Sequence, residues 1–123
     1  MARSETLRVD VYRAAAGSTL ADAATRLGSV IGAVPELHES GYFGGDYFKL
    51  TRVTGVDIRV HVNRRDDEGY LLEADCDEGA ILVYVSGTEA AVRALEPLLT
   101  AFPRVRTRAY PASGRRRARR ERS

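Results

Sequence analysis

Apolar and polar residues alternate over Leu7-Arg8-Val9-Asp10-Val11-Tyr12, the period of a half-buried strand. The period then changes. Leu20, Ala23, Ala24, Leu27, Val30, Ile31 and Val34 recur at helical spacing, which predicts an amphipathic helix over 19–32. Thr19 with Asp22 three residues on reads as an N-cap, and Gly32 followed by Pro35 as a stop. Gly28 lies inside this helix and costs about 1 kcal/mol against alanine there.

Alternation returns over residues 47–53, and Thr54-Gly55 makes a tight turn. Over Val56–Asn63 the apolar set (Val56, Ile58, Val60, Val62) is expected to face inward and Asp57, Arg59, His61 and Asn63 outward. Arg64–Gly69 reads as a turn, Tyr70–Ala74 as a short strand and Asp75–Gly79 as a second turn. Ala80-Ile81-Leu82-Val83-Tyr84-Val85 is apolar on both faces, as a central strand is. A second helix is expected over Glu89–Phe102, with Val92, Leu95, Leu98, Leu99 and Phe102 inward. Pro97 removes a backbone donor and crowds the preceding turn, so that helix is kinked or divided. Arg104–Tyr110 alternates again, with arginines outward.

The order β-α-β-β-(β)-β-α-β puts two helices on one face of a mainly antiparallel sheet. The expected class is α+β, a ferredoxin-like two-layer sandwich with an extra strand or hairpin. Residues 1–110 form one domain, and 111–123 an Arg-rich disordered tail.

A 44% hydrophobic and 29% charged composition is that of a soluble globular chain. Cys76 is the single cysteine, which fits a reducing compartment. No apolar run approaches the ~18 residues of a membrane span. The first residues lead into no signal-peptide h-region, so a cytoplasmic location is expected. The net charge of +2 conceals an asymmetry. Residues 1–110 hold 13 basic and 16 acidic side chains, while 111–123 hold six arginines and one glutamate.

Few residues offer catalytic chemistry. His38, His61 and Cys76 match no zinc spacing. Asp75-Cys76-Asp77-Glu78-Gly79 lacks the length and closing glutamate of a calcium loop. No nucleophile elbow, phosphate loop or dinucleotide fingerprint occurs. The reading is a non-enzymatic protein with no metal and no cofactor, with a small-ligand-binding domain on the same ferredoxin-like sandwich as an open alternative.

Charge and aromatics remain. Asp66, Asp67, Glu68, Glu73, Asp75, Asp77 and Glu78 place seven carboxylates in 13 residues, and no base follows Arg65 until Arg93. Such a run either solvates loops or forms an acidic surface for a basic partner, such as the phosphate-binding cleft of a nuclease. Glu39–Phe48 combines Gly41, Gly44 and Gly45 with Tyr42, Phe43, Tyr47 and Phe48. Glycine permits positive φ, and the aromatics serve either as contact residues or as core. Tyr42, Phe43, Asp46 and Tyr47 join the acidic residues as the candidate partner-binding set. The alternative surface is the tail, where Arg115, Arg116, Arg117, Arg119, Arg120 and Arg122 suit weak nucleic-acid contact by counterion release. Arg104, Arg106 and Arg108 extend it only if their strand is exposed, and no base-stacking aromatics are expected beside them.

The stretch Glu39-Ser40-Gly41-Tyr42-Phe43-Gly44-Gly45-Asp46-Tyr47-Phe48 resembles the E-S-x-Y-x-G-G-x-Y-F segment of small bacterial proteins of immunity type. In those proteins, too, a strand and helix precede the motif. Strands like Val60-His61-Val62-Asn63 and Ile81-Leu82-Val83-Tyr84-Val85 follow it. The likeness spans roughly residues 7–110 in outline. It implies a binding surface that neutralises a cognate toxin and assigns no catalytic residue. A sandwich of this kind also pairs through a sheet face or edge, so a homodimer is an open alternative.

Overall fold

The computed structural model describes residues 6–39, 45–51, 53 and 55–111. Tyr42, Phe43 and all the tail arginines from Arg115 to Arg122 lie outside the described residues. The elements are β1 (Thr6–Arg13), α1 (Leu20–Ile31), β2 (Val34–His38), β3 (Tyr47–Thr51), β4 (Val56–Val62), β5 (Ile81–Thr88), α2 (Glu89–Leu95), a 3₁₀ turn (Glu96–Leu99) and β6 (Arg104–Pro111). This is an α+β fold. Its six strands form one sheet in the order β2-β3-β4-β5-β1-β6. Every neighbouring pair is antiparallel. The chain's first strand is therefore internal: Val9 stands opposite Ser86 on one side and Arg108 on the other.

Local chemistry sets the helix ends. The Thr19 hydroxyl accepts from the Asp22 N–H at 3.0 Å, and Gly32 closes α1 in the left-handed region at φ 73. Glycine alone takes that conformation without a Cβ penalty. Gly28 has a different purpose. A Cβ there would stand 2.8 Å from the Ala33 carbonyl and 3.2 Å from Pro35 Cδ, so its absence lets the end of α1 close onto β2. Thr88 caps α2, accepting from the Ala91 N–H at 3.2 Å. Pro97 divides the second helical segment as expected, with an α-helical piece ending at Leu95 and a 3₁₀ piece following.

One apolar cluster joins both helices to one face of the sheet. Ala23, Ala24 and Leu27 of α1 and Val92 of α2 meet Tyr12, Leu50, Ile58, Val60, Val83 and Val85, with Leu99 and Phe102 completing the cluster. Each fully buried Leu, Ile or Val contributes about 1.5–3 kcal/mol of transfer free energy.

Several features differ from the sequence reading, among them Leu98, expected inward and 44% exposed. β2 is a strand where the helical spacing ran on to Val34, and Val30 and Val34 are 42% and 45% exposed. Residues 70–74 form no strand; one isolated bridge, Arg65 to Leu71, stands there. His61 and Asn63, expected outside, are 4% and 0% exposed. The last difference has a structural cause. Val11 and Leu82, also 0% exposed, lie outside the helix-side cluster, because the sheet's second face is covered as well. The connection from Asn63 to Ala80 folds across it, and its Glu73 reaches Tyr84 and Arg106 on that face.

Candidate partner-binding surface

The connection between β4 and β5 is built around Asn63. The Asn63 amide nitrogen donates toward the carbonyls of Glu73, Cys76 and Asp77 at 3.1, 3.0 and 2.9 Å, and its oxygen accepts from the Glu73 N–H at 2.9 Å. The Asn63 main chain closes the loop's neck, donating to Ala80 O at 2.7 Å and accepting from Gly79 N–H at 2.8 Å. A fully buried side-chain amide has here replaced the hydrogen bonds that a ladder would have supplied.

Glu73 fastens the loop to the sheet. Its carboxylate accepts from the Tyr84 hydroxyl at 2.7 Å and from Arg106 Nη2 at 2.8 Å. Burial pushes the Tyr84 hydroxyl far up its ordinary range, and the hydrogen bond to Glu73 adds to it. Cys76, 6% exposed, also has its thiol pushed up, by burial first and then by the Glu73 charge. A thiol kept protonated is a poor nucleophile.

The remaining acids of the run point outward. Asp66, Asp67, Glu68, Asp75, Asp77 and Glu78 are all exposed. Asp66 also shapes the loop, its Oδ1 accepting from the Glu68 and Tyr70 N–H groups at 2.9 Å each. Arg65 binds Glu78 at 3.1 Å and the Gly69 carbonyl at 2.7 Å. Glu73, by contrast, is 8% exposed and sits within the loop's fastening. Tyr70 stands amid the carboxylates with 69% of its surface exposed. It was not among the candidates; its position between Gly69 and the second acidic group is the signal that pointed to it. A tyrosine presented this way is a typical anchor in a protein interface.

Tyr47 belongs to a row of rings rather than to a free surface. It stacks on His38 at 5.4 Å and on His61 at 4.8 Å between centroids, and His61 meets Tyr84 edge-on at 5.6 Å. The row links the start of β3 to the Glu73 clasp. Burial, then the neighbouring Arg59 charge, lowers the His61 pKa to about 4, so the ring is neutral at pH 7. Asp46 is exposed, and Phe48 packs against the core.

The arginines of β6 divide between faces. Arg106 stands beside Val11 and Arg108 beside Val9 on the loop side, with Tyr110 beside Leu7. Tyr110 therefore shares a face with Arg106 and Arg108. A register shift at Val11 and Tyr12 turns Arg104 to the helix side, where it binds Glu96 at 3.1 Å. Carboxylates offset much of the loop-side charge: Glu73 holds Arg106, while Asp57 lies 3.0 Å from Arg59 and 3.9 Å from Lys49. The same face ends in a cleft of ≈ 530 Å³ lined by Leu7, Val9, Asp57, Ser86 and Tyr110, among others.

Under the helices lies a second buried carboxylate. Asp10, 0% exposed, accepts from Arg8 at 2.8 and 3.0 Å, from the Tyr12 hydroxyl at 3.0 Å and from the Thr107 hydroxyl. Burial pushes the Asp10 carboxyl up, but the hydrogen bonds from Arg8, Thr107 and Tyr12 outweigh it and hold the pKa below the ordinary value. Arg8 extends the network to Glu96. No fully buried polar side-chain atom of this cluster is left without a partner, so it has the character of a structural tie.

Among the described residues, no group of three or more His, Cys, Asp or Glu is placed to hold a metal ion. No helix among them is long and apolar enough to cross a membrane. Comparison of the chain with protein families, curated proteins and solved structures finds no match.

Proposed function

We propose that this protein is a non-catalytic binding domain of immunity type, which neutralises a basic protein partner by covering it with the β4–β5 loop. The observation behind this reading is the pre-built loop. Asn63 and Glu73 fix its backbone, leaving Asp66, Asp67, Glu68, Asp75, Asp77 and Glu78 exposed around Tyr70. A loop ordered before binding avoids most of the ordering cost that association otherwise imposes. Its carboxylates accelerate encounter with a cationic cleft and mimic the phosphates such a cleft holds. Tyr70 supplies the apolar anchor. The partner chemistry that fits is a phosphate-binding or nucleic-acid-binding surface on a toxin, and the expected compartment is the cytoplasm.

In fold, we infer a ferredoxin-like arrangement. The run β6-β1-β5-β4 with both helices on one face is consistent with that plan, and the β2–β3 hairpin extends it past β4. The nucleic-acid alternative receives less support from the sheet, because Glu73 and Asp57 already engage Arg106, Arg59 and Lys49.

The test is affinity capture of the partner from the host by the full chain and by a variant carrying Asp67→Lys, Asp75→Lys and Asp77→Lys. Asp66 is left in place because it shapes the turn. One stoichiometric basic partner, lost with the charge reversal and weakened by salt, supports the reading. Equal capture by both chains removes it.

A further inference from the structure

We propose that the outer edge of β2 is a self-association site, at which two copies pair antiparallel in a register centred on Leu37. The two edges of the sheet differ. β6 carries Arg104 and Arg108 exposed along its length, and cationic side chains at an edge repel a second copy. β2 carries no Lys or Arg, and its Leu37 is 56% exposed with Val34 at 45%.

The backbone fixes which groups face outward. The Val34 carbonyl accepts from the Thr51 hydroxyl at 3.3 Å, so Val34 turns its main-chain groups toward β3. Alternation along the strand then turns those of Pro35 and Leu37 toward the open edge. Proline is tolerated there because its missing N–H faces no partner in the sheet.

Only one placement of a second copy uses these groups well. With Leu37 opposite Leu37 of the second copy, each donates its N–H to the other's carbonyl. Each Pro35 carbonyl meets the Glu39 N–H of the second copy, so the missing proline donor costs nothing at that position. Side chains agree with the backbone: Glu36 comes opposite His38 and His38 opposite Glu36. This pairing extends an attraction already present within one strand, where His38 and Glu36 lie 3.0 Å apart. Centring on Glu36 instead would oppose two glutamates, which is destabilising. A two-fold axis through the Leu37 pair keeps both helical layers on one side of a continuous sheet. Val30, exposed on the last turn of α1, lies on that side with Leu37. The contact is one short strand wide, below the ~800 Å² per partner of a stable dimer, so association is weak and concentration-dependent. The acidic loop plays no part in it, and the proposal stands apart from the neutralisation reading.

Sedimentation of the full chain from about 1 µM to about 500 µM should show a reversible monomer–dimer equilibrium, with Leu37→Arg weakening it by at least about tenfold at unchanged Tm. Under mild oxidation, Leu37→Cys should cross-link to its own copy faster than Glu36→Cys. A chain that stays monomeric over the whole range overturns the proposal. So does a Leu37→Arg chain that dimerises normally, or Glu36→Cys coupling as fast as Leu37→Cys.

Discussion

Asp10 and Glu73 are two buried carboxylates on opposite faces of one sheet, each held by a tyrosine and an arginine. Asp10 is held by Tyr12 and Arg8, Glu73 by Tyr84 and Arg106. Their chemistry is alike and their consequences differ. Most of Asp10's partners are already neighbours in β1 and β6, so its network adds to strands that a ladder holds as well. Glu73 belongs to a connection with almost no ladder, and together with Asn63 it gives that connection its shape. The same charged hydrogen bonds therefore support global stability on one face and local order on the other.

The comparison is broken most severely at Asp10. Asp10→Ala leaves Arg8 buried with a reduced set of partners and should cost about 3–5 kcal/mol. Chemical denaturation should show the loss as a shifted midpoint for the whole domain. Asn63→Ala comes next. It strands three carbonyls and the Glu73 N–H inside the loop, a loss of about 3 kcal/mol. Hydrogen exchange should place that loss in residues 63–80 before any strand opens; simultaneous exchange throughout the domain would contradict the division drawn here.

A pH titration separates the faces further. His61 titrates near 4 in the folded chain and near 6.5 when unfolded, so the unfolded chain binds more protons between those values. Stability is full above about pH 6.5 and declines as pH falls toward 4, by about 2 kcal/mol after allowance for solvent screening. His61→Gln should flatten that decline. Asp10, with a lowered pKa, contributes above its unfolded value near 3.8 and loses that contribution as pH falls through its folded value, so its window is centred below that of His61. The smallest effect is expected from Glu73→Gln, about 1 kcal/mol, as a charge-assisted pair becomes a neutral one. Faster amide exchange in the loop, with only a small shift of the unfolding midpoint, would be its signature.

Much of this architecture is legible in the chain. The alternation of Leu7–Tyr12 and Val56–Val62, the Thr19 and Gly32 signals and the break at Pro97 all correspond to observed features. β2 was hidden because Val34 continues the helical period and Pro35 reads as a stop. In fact that proline lies in an edge strand, where its lack of a donor is harmless. His61 and Asn63 were misplaced for a more general reason. A period of two separates the faces of a strand, but it does not say whether a distant loop will cover the second one. The acidic run was plain in the sequence, yet nothing in it distinguished Glu73, which turns inward, from Asp75, which turns outward. That distinction depends on Tyr84 and Arg106, which the fold brings together from two other strands.

The position of β1 has a consequence for how the chain is made. It leaves the ribosome before the other described strands, and its two neighbours, β5 and β6, are the last of those strands to follow. Until Arg104–Pro111 has emerged, β1 lacks one side of its pairing and the Asp10 carboxylate lacks Thr107. Strands paired across such long separations close slowly, because the loop entropy is spent before the contacts return it. The sheet is therefore completed only once β6 has joined it, and a chain cut short before β6 would expose a β1 built for the interior.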